Sequence, residues 1–163
     1  MRWRSGKGGR VRYPWWVQTK LTWKEKMLFA AESGGHTVMM DSKPPLGQGK
    51  AQTPKQLLLA ALCGCTAMDV AALLRKHRQE MQSFEISAEA TSRESVHPVV
   101  FTDVTLVFHI QGTVDPAIAL EAVRLSQTQY CGVSAMLSRA VPIHYQVFVN
   151  GQIAGQGEAR FPS

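Results

Sequence analysis

The chain has 163 residues, enough to bury the core of one ordinary domain but short for two full ones, which excludes a large multidomain enzyme. Hydrophobic residues make up 45% and charged residues 18%, so the chain is too apolar and too sparsely charged to be disordered along most of its length. The net charge of +6 sits entirely at the start: residues 1–20 carry Arg2, Arg4, Lys7, Arg10, Arg12 and Lys20 with no acid, while the remainder balances 12 bases against 12 acids. A neutral body does not ask for a polyanionic partner, so nucleic-acid binding is not expected, and only the arm could supply it.

Residues 1–20 mix Arg, Gly and the tryptophans Trp3, Trp15 and Trp16 without helical or strand periodicity. Such an arm could hold nucleic acid by phosphate charge and aromatic stacking, but the plainer reading is a basic, flexible extension. A domain is expected over residues 21–149, and residues 150–163 read as a loose tail. Leu21–Ala30 and His36–Met40 flank the Gly-containing loop Glu32-Ser33-Gly34-Gly35 and predict a hairpin. Ser42 to Gly49, with Pro44, Pro45, Gly47 and Gly49, is a loop.

Thr53-Pro54-Lys55-Gln56 has the form of a helix start, with a Thr N-cap candidate, Pro at the first turn and Gln three residues on. The helix can run to about Arg78, roughly 37 Å. Its middle is apolar on nearly every side, from Leu57 through Cys63 and Cys65 to Val70, which predicts burial all round. Phe84–Arg93 alternates Phe84, Ile86, Ala88 and Ala90 against polar neighbours, Val99–Gln111 alternates less cleanly through Val104, Leu106, Phe108 and Ile110, and both runs read as strands. Asp115-Pro116 opens a second helix to about Thr128, Gly132 to Ala140 is a third, and Ile143–Val149 a closing strand. The segregated order β-β-α-β-β-α-α-β is α+β rather than doubly wound.

Cys63, Cys65 and Cys131 are an odd set, and no apolar leader stretch precedes them. A disulfide scaffold is therefore not expected, and a reducing, cytoplasmic setting is. The run Leu57 to Cys63 is only seven residues before Gly64, with Thr66 and Asp69 interrupting beyond it; this reads as too short and too mixed to span a bilayer, so no membrane partner is expected. No metal site is expected either. On a helix Cys63 and Cys65 lie about 200° apart and cannot share one ion, and His36, His77, His97, His109 and His144 lack ligand spacing. No phosphate loop or dinucleotide fingerprint is present, and no bound cofactor is expected. For redox work, one helix cysteine would have to pair with Cys131, whose position at a helix start has the electrostatics that favour a thiolate.

The segment Thr53-Pro54-Lys55-Gln56-Leu57-Leu58-Leu59-Ala60-Ala61-Leu62-Cys63-Gly64-Cys65-Thr66-Ala67-Met68-Asp69-Val70, followed some 60 positions later by Tyr130-Cys131-Gly132-Val133-Ser134-Ala135-Met136-Leu137, resembles the OsmC/Ohr family of thiol peroxidases, closest to its OsmC-like branch. The resemblance implies antiparallel sheets wrapped around a long central buried helix in an intertwined homodimer. By position Cys65 matches the peroxidatic cysteine and Cys131 the resolving one, with a hydroperoxide as substrate and an external dithiol as reductant. Cys63 matches no catalytic position and reads as packing. Two departures stand out: Lys55 occupies the place of the family's Glu after the helix-initial Pro, and no Arg occurs between Tyr13 and Leu74 to act as the activating cation. Asp69, one turn after Cys65, would raise the thiol unless a cation such as Lys43, Lys50 or Lys55 neutralises it; it could equally serve as a buried hydrogen-bonding group. The alternative function is a non-catalytic module that binds a small apolar ligand.

Overall fold

The computed structural model describes residues 17–93 and 96–162; most of the basic arm lies outside them. The chain divides into two units, one ending at Pro54 and one beginning at Lys55. In the first, β1 (Lys20–Glu25), β2 (Leu28–Ser33) and β3 (His36–Met40) form an antiparallel sheet in the order β1-β2-β3. The expected strand over Leu21–Ala30 is thus two strands. The chain reverses at Lys26-Met27, where Lys26 takes a left-handed φ of 45°, a conformation that neither Gly nor Asn marks in the sequence. The loop that follows closes on Asp41, whose carboxylate accepts the backbone N–H groups of Ser42, Gln48 and Lys50. These donors, that of Lys50 foremost, hold its carboxyl below the usual range.

The second unit is built on β4 (Glu80–Ser92), β5 (Phe101–Thr113), β6 (Ile143–Val149) and β7 (Gln152–Glu158), paired in that order. β4 with β5 and β6 with β7 are antiparallel, while β5 and β6 run parallel. A parallel pair needs a crossover, and here it holds α2 (Pro116–Leu125), a π-helical turn (Ser126–Tyr130) and α3 (Gly132–Leu137). The period-2 apolar residues do what their spacing requires: Val104, Leu106, Phe108 and Ile110 of β5 and Ile143, Tyr145, Val147 and Val149 of β6 are buried. The expected loose tail is corrected by β7. Asn150-Gly151 turns with positive φ at both residues, a two-residue hairpin connection whose twist suits paired strands.

The long helix α1 spans Pro54–Lys76. Within one chain its buried residues are Leu62, Thr66, Val70 and Leu74, a single stripe at four-residue spacing rather than burial all round. Leu62, Val70 and Leu74 join the core shared with β5, β6 and α2. By length and composition alone α1 is apolar enough to cross a bilayer, so the expectation that its apolar stretch is too short does not hold; what it does in this fold is to bury that stripe in the protein core. The architecture is α+β: a three-stranded sheet in the first unit, and in the second a four-stranded sheet with the long helix α1.

Candidate functional site

Thr66 is the one polar residue in the buried stripe of α1, and it organises what lies opposite. Gln127, fully buried on the π-helical turn, donates from Nε2 to Thr66 Oγ1 at 3.0 Å. The Thr66 hydroxyl in turn donates to Cys131 Sγ at 3.4 Å. Ser126, also buried, donates from Oγ to Asp69 Oδ2 at 2.9 Å. Three contacts therefore tie the middle of α1 to one short stretch of the crossover.

The π-helical turn makes this possible. Cys131 N–H bonds back to the Ser126 carbonyl at 3.0 Å, the wider π closure, which is common at functional sites. It ends the preceding helix with Cys131 in extended conformation as the N-cap of α3, where its Sγ accepts the Ser134 N–H at 3.3 Å. Cys131 thus caps α3 instead of lying within it. Gln127 Oε1 and Ser134 Oγ, on either side of Cys131 in the sequence, are buried without a hydrogen-bond partner among the described residues.

Cys65, Asp69 and Cys131 come together, with one sulfur or carboxylate oxygen from each lying within 4.8 Å of the others. Cys65 and Asp69 stand one helical turn apart and are partly exposed, whereas Cys131 is fully buried. Burial pushes the Cys65 thiol up, the Val133 N–H works in the opposite direction, and the neighbouring Cys131 and the Asp69 charge push it further up. Cys63 is outside the cluster and packs against the hydrophobic core, and burial raises its thiol as well. All three cysteines are free thiols.

Lys55 is not brought to this cluster within the chain. Its ammonium donates to the Val99 carbonyl and sits 5.5 Å from the centre of the Phe101 ring, and it lies ten residues before Cys65, about 15 Å along the helix axis. In the N-terminal unit, Lys50 pairs with Glu25 at 2.6 Å. His109 stacks on Phe148 with ring centres 5.1 Å apart. An apolar cleft of about 210 Å³ is lined by Leu73, His77, Ile118, Glu121 and Leu125 among others, none of them a cysteine. Sequence reading missed Thr66, Ser126 and Gln127 as a group. The available signal was a hydroxyl at the Leu62+4 position of an apolar stripe and two polar residues on the inner side of a helix end.

Residues 47–146 match the family model described as OsmC-like protein. Over 130 residues, 78% of this chain and 93% of its own length, protein YhfA of Escherichia coli strain K12 is 37% identical. The chain belongs to the OsmC-like family. Solved structures share the fold of this OsmC-like protein. An OsmC like protein from Mycoplasma pneumoniae superposes with a TM-score of 0.74 at 13% identity, covering 83% of this chain and 98% of that one. An organic hydroperoxide resistance protein OsmC from Legionella pneumophila does so with a TM-score of 0.62 at 18% identity, again covering 83% and 98%. At those identities the likeness is one of fold.

Proposed function

We propose that this OsmC-like protein is a cysteine-based peroxidase that reduces organic hydroperoxides through Cys65 and Cys131. The observation that carries the reading is the convergence of two free sulfurs from distant parts of the sequence, one partly exposed and one buried behind it. The accessible thiol is the one a peroxide can reach. Cys65, as thiolate, attacks the O–O bond and becomes a sulfenic acid, and the leaving alkoxide takes a proton to give an alcohol. The Cys131 thiol then condenses with the sulfenic acid, forming the disulfide and releasing water. An external dithiol reduces the disulfide and is itself oxidised, restoring both thiols. No bound cofactor enters this cycle.

Apolar peroxides suit the Leu-, Met- and Ala-rich surface of α1 better than hydrogen peroxide does. Burial, the neighbouring Cys131 and the Asp69 charge all oppose the Cys65 thiolate, so its attack should be slower than that of a thiol without such neighbours. That opposition also favours a second reading, a non-catalytic module that binds a small apolar ligand; the apolar cleft beside Leu73 and Ile118 is where such a ligand would fit. We further infer a homodimer, since α1 leaves much of its apolar surface uncovered within one chain, Met68 being 76% exposed, and a cytoplasmic, reducing setting that supplies the dithiol.

The test is consumption of an organic hydroperoxide with a dithiol reductant by the wild type and by Cys65→Ser, Cys131→Ser and Cys63→Ser. Cys65→Ser should abolish turnover. Cys131→Ser should permit a single attack without recycling, and Cys63→Ser should be nearly silent. A wild type that consumes none of several hydroperoxides but saturably binds an apolar ligand would replace the first reading with the second.

A further inference from the structure

The donors gathered around Cys65 are also those of a soft-metal site. Two thiols and a carboxylate, each offering one atom, lie within 4.8 Å of one another. A tetrahedral zinc ion with Zn–S near 2.3 Å and Zn–O near 2.1 Å holds sulfurs about 3.8 Å apart and sulfur and oxygen about 3.6 Å apart. From a spread of at most 4.8 Å the three atoms would therefore have to close by no more than about 1.2 Å, within the reach of side-chain adjustment. The surroundings are those that hold metal ligands in place. Asp69 has Oδ2 fixed by the Ser126 hydroxyl, which leaves its other oxygen for an ion, and Cys131 Sγ receives two donors, Thr66 Oγ1–H and Ser134 N–H. Cys65 and Asp69 are partly exposed, so an ion can enter from their side without unfolding the core around Cys131.

We propose that the reduced protein binds one zinc-class divalent cation per chain through Cys65 Sγ, Cys131 Sγ and a carboxylate oxygen of Asp69. Both thiols give up their protons when the ion binds, and the fourth tetrahedral position is left for water or another small ligand. Thiolate sulfur selects zinc, or cadmium as its spectroscopic substitute, over magnesium and calcium, which prefer oxygen. The disulfide and the metal are mutually exclusive because they use the same two sulfurs. The inference is independent of peroxide chemistry, since binding is measured with no oxidant present.

The experiment titrates the reduced, full-length protein with zinc in competition with a chromophoric chelator, and with cadmium followed by thiolate-to-metal charge-transfer absorption. One ion per chain, two protons released per ion and a two-thiolate cadmium spectrum are expected. Cys65→Ser and Cys131→Ser should each remove the two-thiolate spectrum, Ser126→Ala should weaken zinc by about 10–100-fold as loss of an orienting partner does, and Cys63→Ser should bind as the wild type. Protein fully oxidised by exchange with a small-molecule disulfide, in which two protein thiols are oxidised and the reagent is reduced, should not bind. Binding that survives Cys65→Ser or Cys131→Ser, that depends on Cys63, or that is equal in the reduced and oxidised proteins overturns the proposal. Folding of each variant is checked by circular dichroism, and Cys65→Ala with its partly exposed side chain serves if Cys131→Ser fails to fold. A protein that binds zinc but consumes no hydroperoxide sinks the peroxidase reading alone, and the converse result sinks this one alone.

Discussion

Replacing Thr66 by Val tests whether the polar chain behind the two sulfurs contributes to the fold. Thr66 and Gln127 are both fully buried, and the Thr66 hydroxyl accepts from Gln127 Nε2 at 3.0 Å while donating to Cys131 Sγ at 3.4 Å. Valine has nearly the same shape, so the change removes the hydroxyl without opening a cavity. It orphans the Gln127 amide donor in a residue whose Oε1 already lacks a partner among the described residues. An orphaned buried donor costs about 1–3 kcal/mol, and that is the expected loss of stability. Gln127→Leu removes the donor together with the unpartnered acceptor and leaves the Thr66 hydroxyl its sulfur, so it should cost less than about 1 kcal/mol. In the double variant both partners are apolar, and much of the Thr66→Val loss should return, a coupling on the order of 1–2 kcal/mol. Urea unfolding followed by circular dichroism at fixed protein concentration measures all four proteins, with an unchanged slope as the sign that the unfolded states are comparable. A Thr66→Val cost under about 0.5 kcal/mol, or a double variant whose cost is the sum of the single ones, would refute the reasoning, since neither fits a hydroxyl that satisfies a buried amide.

Three further outcomes follow from other parts of the molecule. Because the Cys65 thiol lies above its ordinary value of 9.0 through burial, Cys131 and the Asp69 charge, its alkylation rate should keep rising with pH beyond that point; Asp69→Asn removes one raising influence and should move the midpoint to lower pH, whereas an unmoved or higher midpoint contradicts the electrostatic account. Gly112 has φ +136°, and a Cβ there would lie 2.2 Å from the Glu80 carbonyl oxygen, so Gly112→Ala should destabilise by at least about 1–3 kcal/mol, and a denaturation midpoint equal to the wild type would be inconsistent with it. Sedimentation at micromolar concentration should give a dimer that persists when residues 1–16 are deleted; a stable monomer would exclude the proposed assembly.

The strands that could be read in advance are those whose apolar residues recur at period 2, such as β5 and β6, because that spacing puts Val104, Leu106, Phe108 and Ile110, and likewise Ile143, Tyr145, Val147 and Val149, on one face, although Val107 and Phe148 interrupt the polar side. Elements set by backbone conformation were harder to see. Lys26 turns the chain in a left-handed conformation that its identity does not advertise, and the Asn150-Gly151 signal was available but lay in a stretch whose Gly-rich strand carries few apolar residues. Helix α1 was legible as a helix from Thr53-Pro54 and its composition. Which face it would bury was not, because apolar residues on all sides leave no contrast to read, and only the partners of Leu62, Thr66, Val70 and Leu74 decide it. The site was legible in its cysteines and in Asp69 through the family resemblance. Its supporting residues were not, since the π-helical closure from Cys131 to Ser126 is a one-residue change of pitch that brings Ser126 and Gln127 to α1, and composition carries no trace of it.

The claim that Cys65 and Cys131 form a redox pair is tested most directly by disulfide mapping. Fully reduced protein would receive one equivalent of an organic hydroperoxide, be quenched with an alkylating reagent, and be digested without reduction for mass spectrometry. The account predicts one peptide pair joined through Cys65 and Cys131 within the same chain, with Cys63 alkylated. Cys65 oxidised to sulfinic acid with Cys131 alkylated, or a disulfide that includes Cys63, would contradict it.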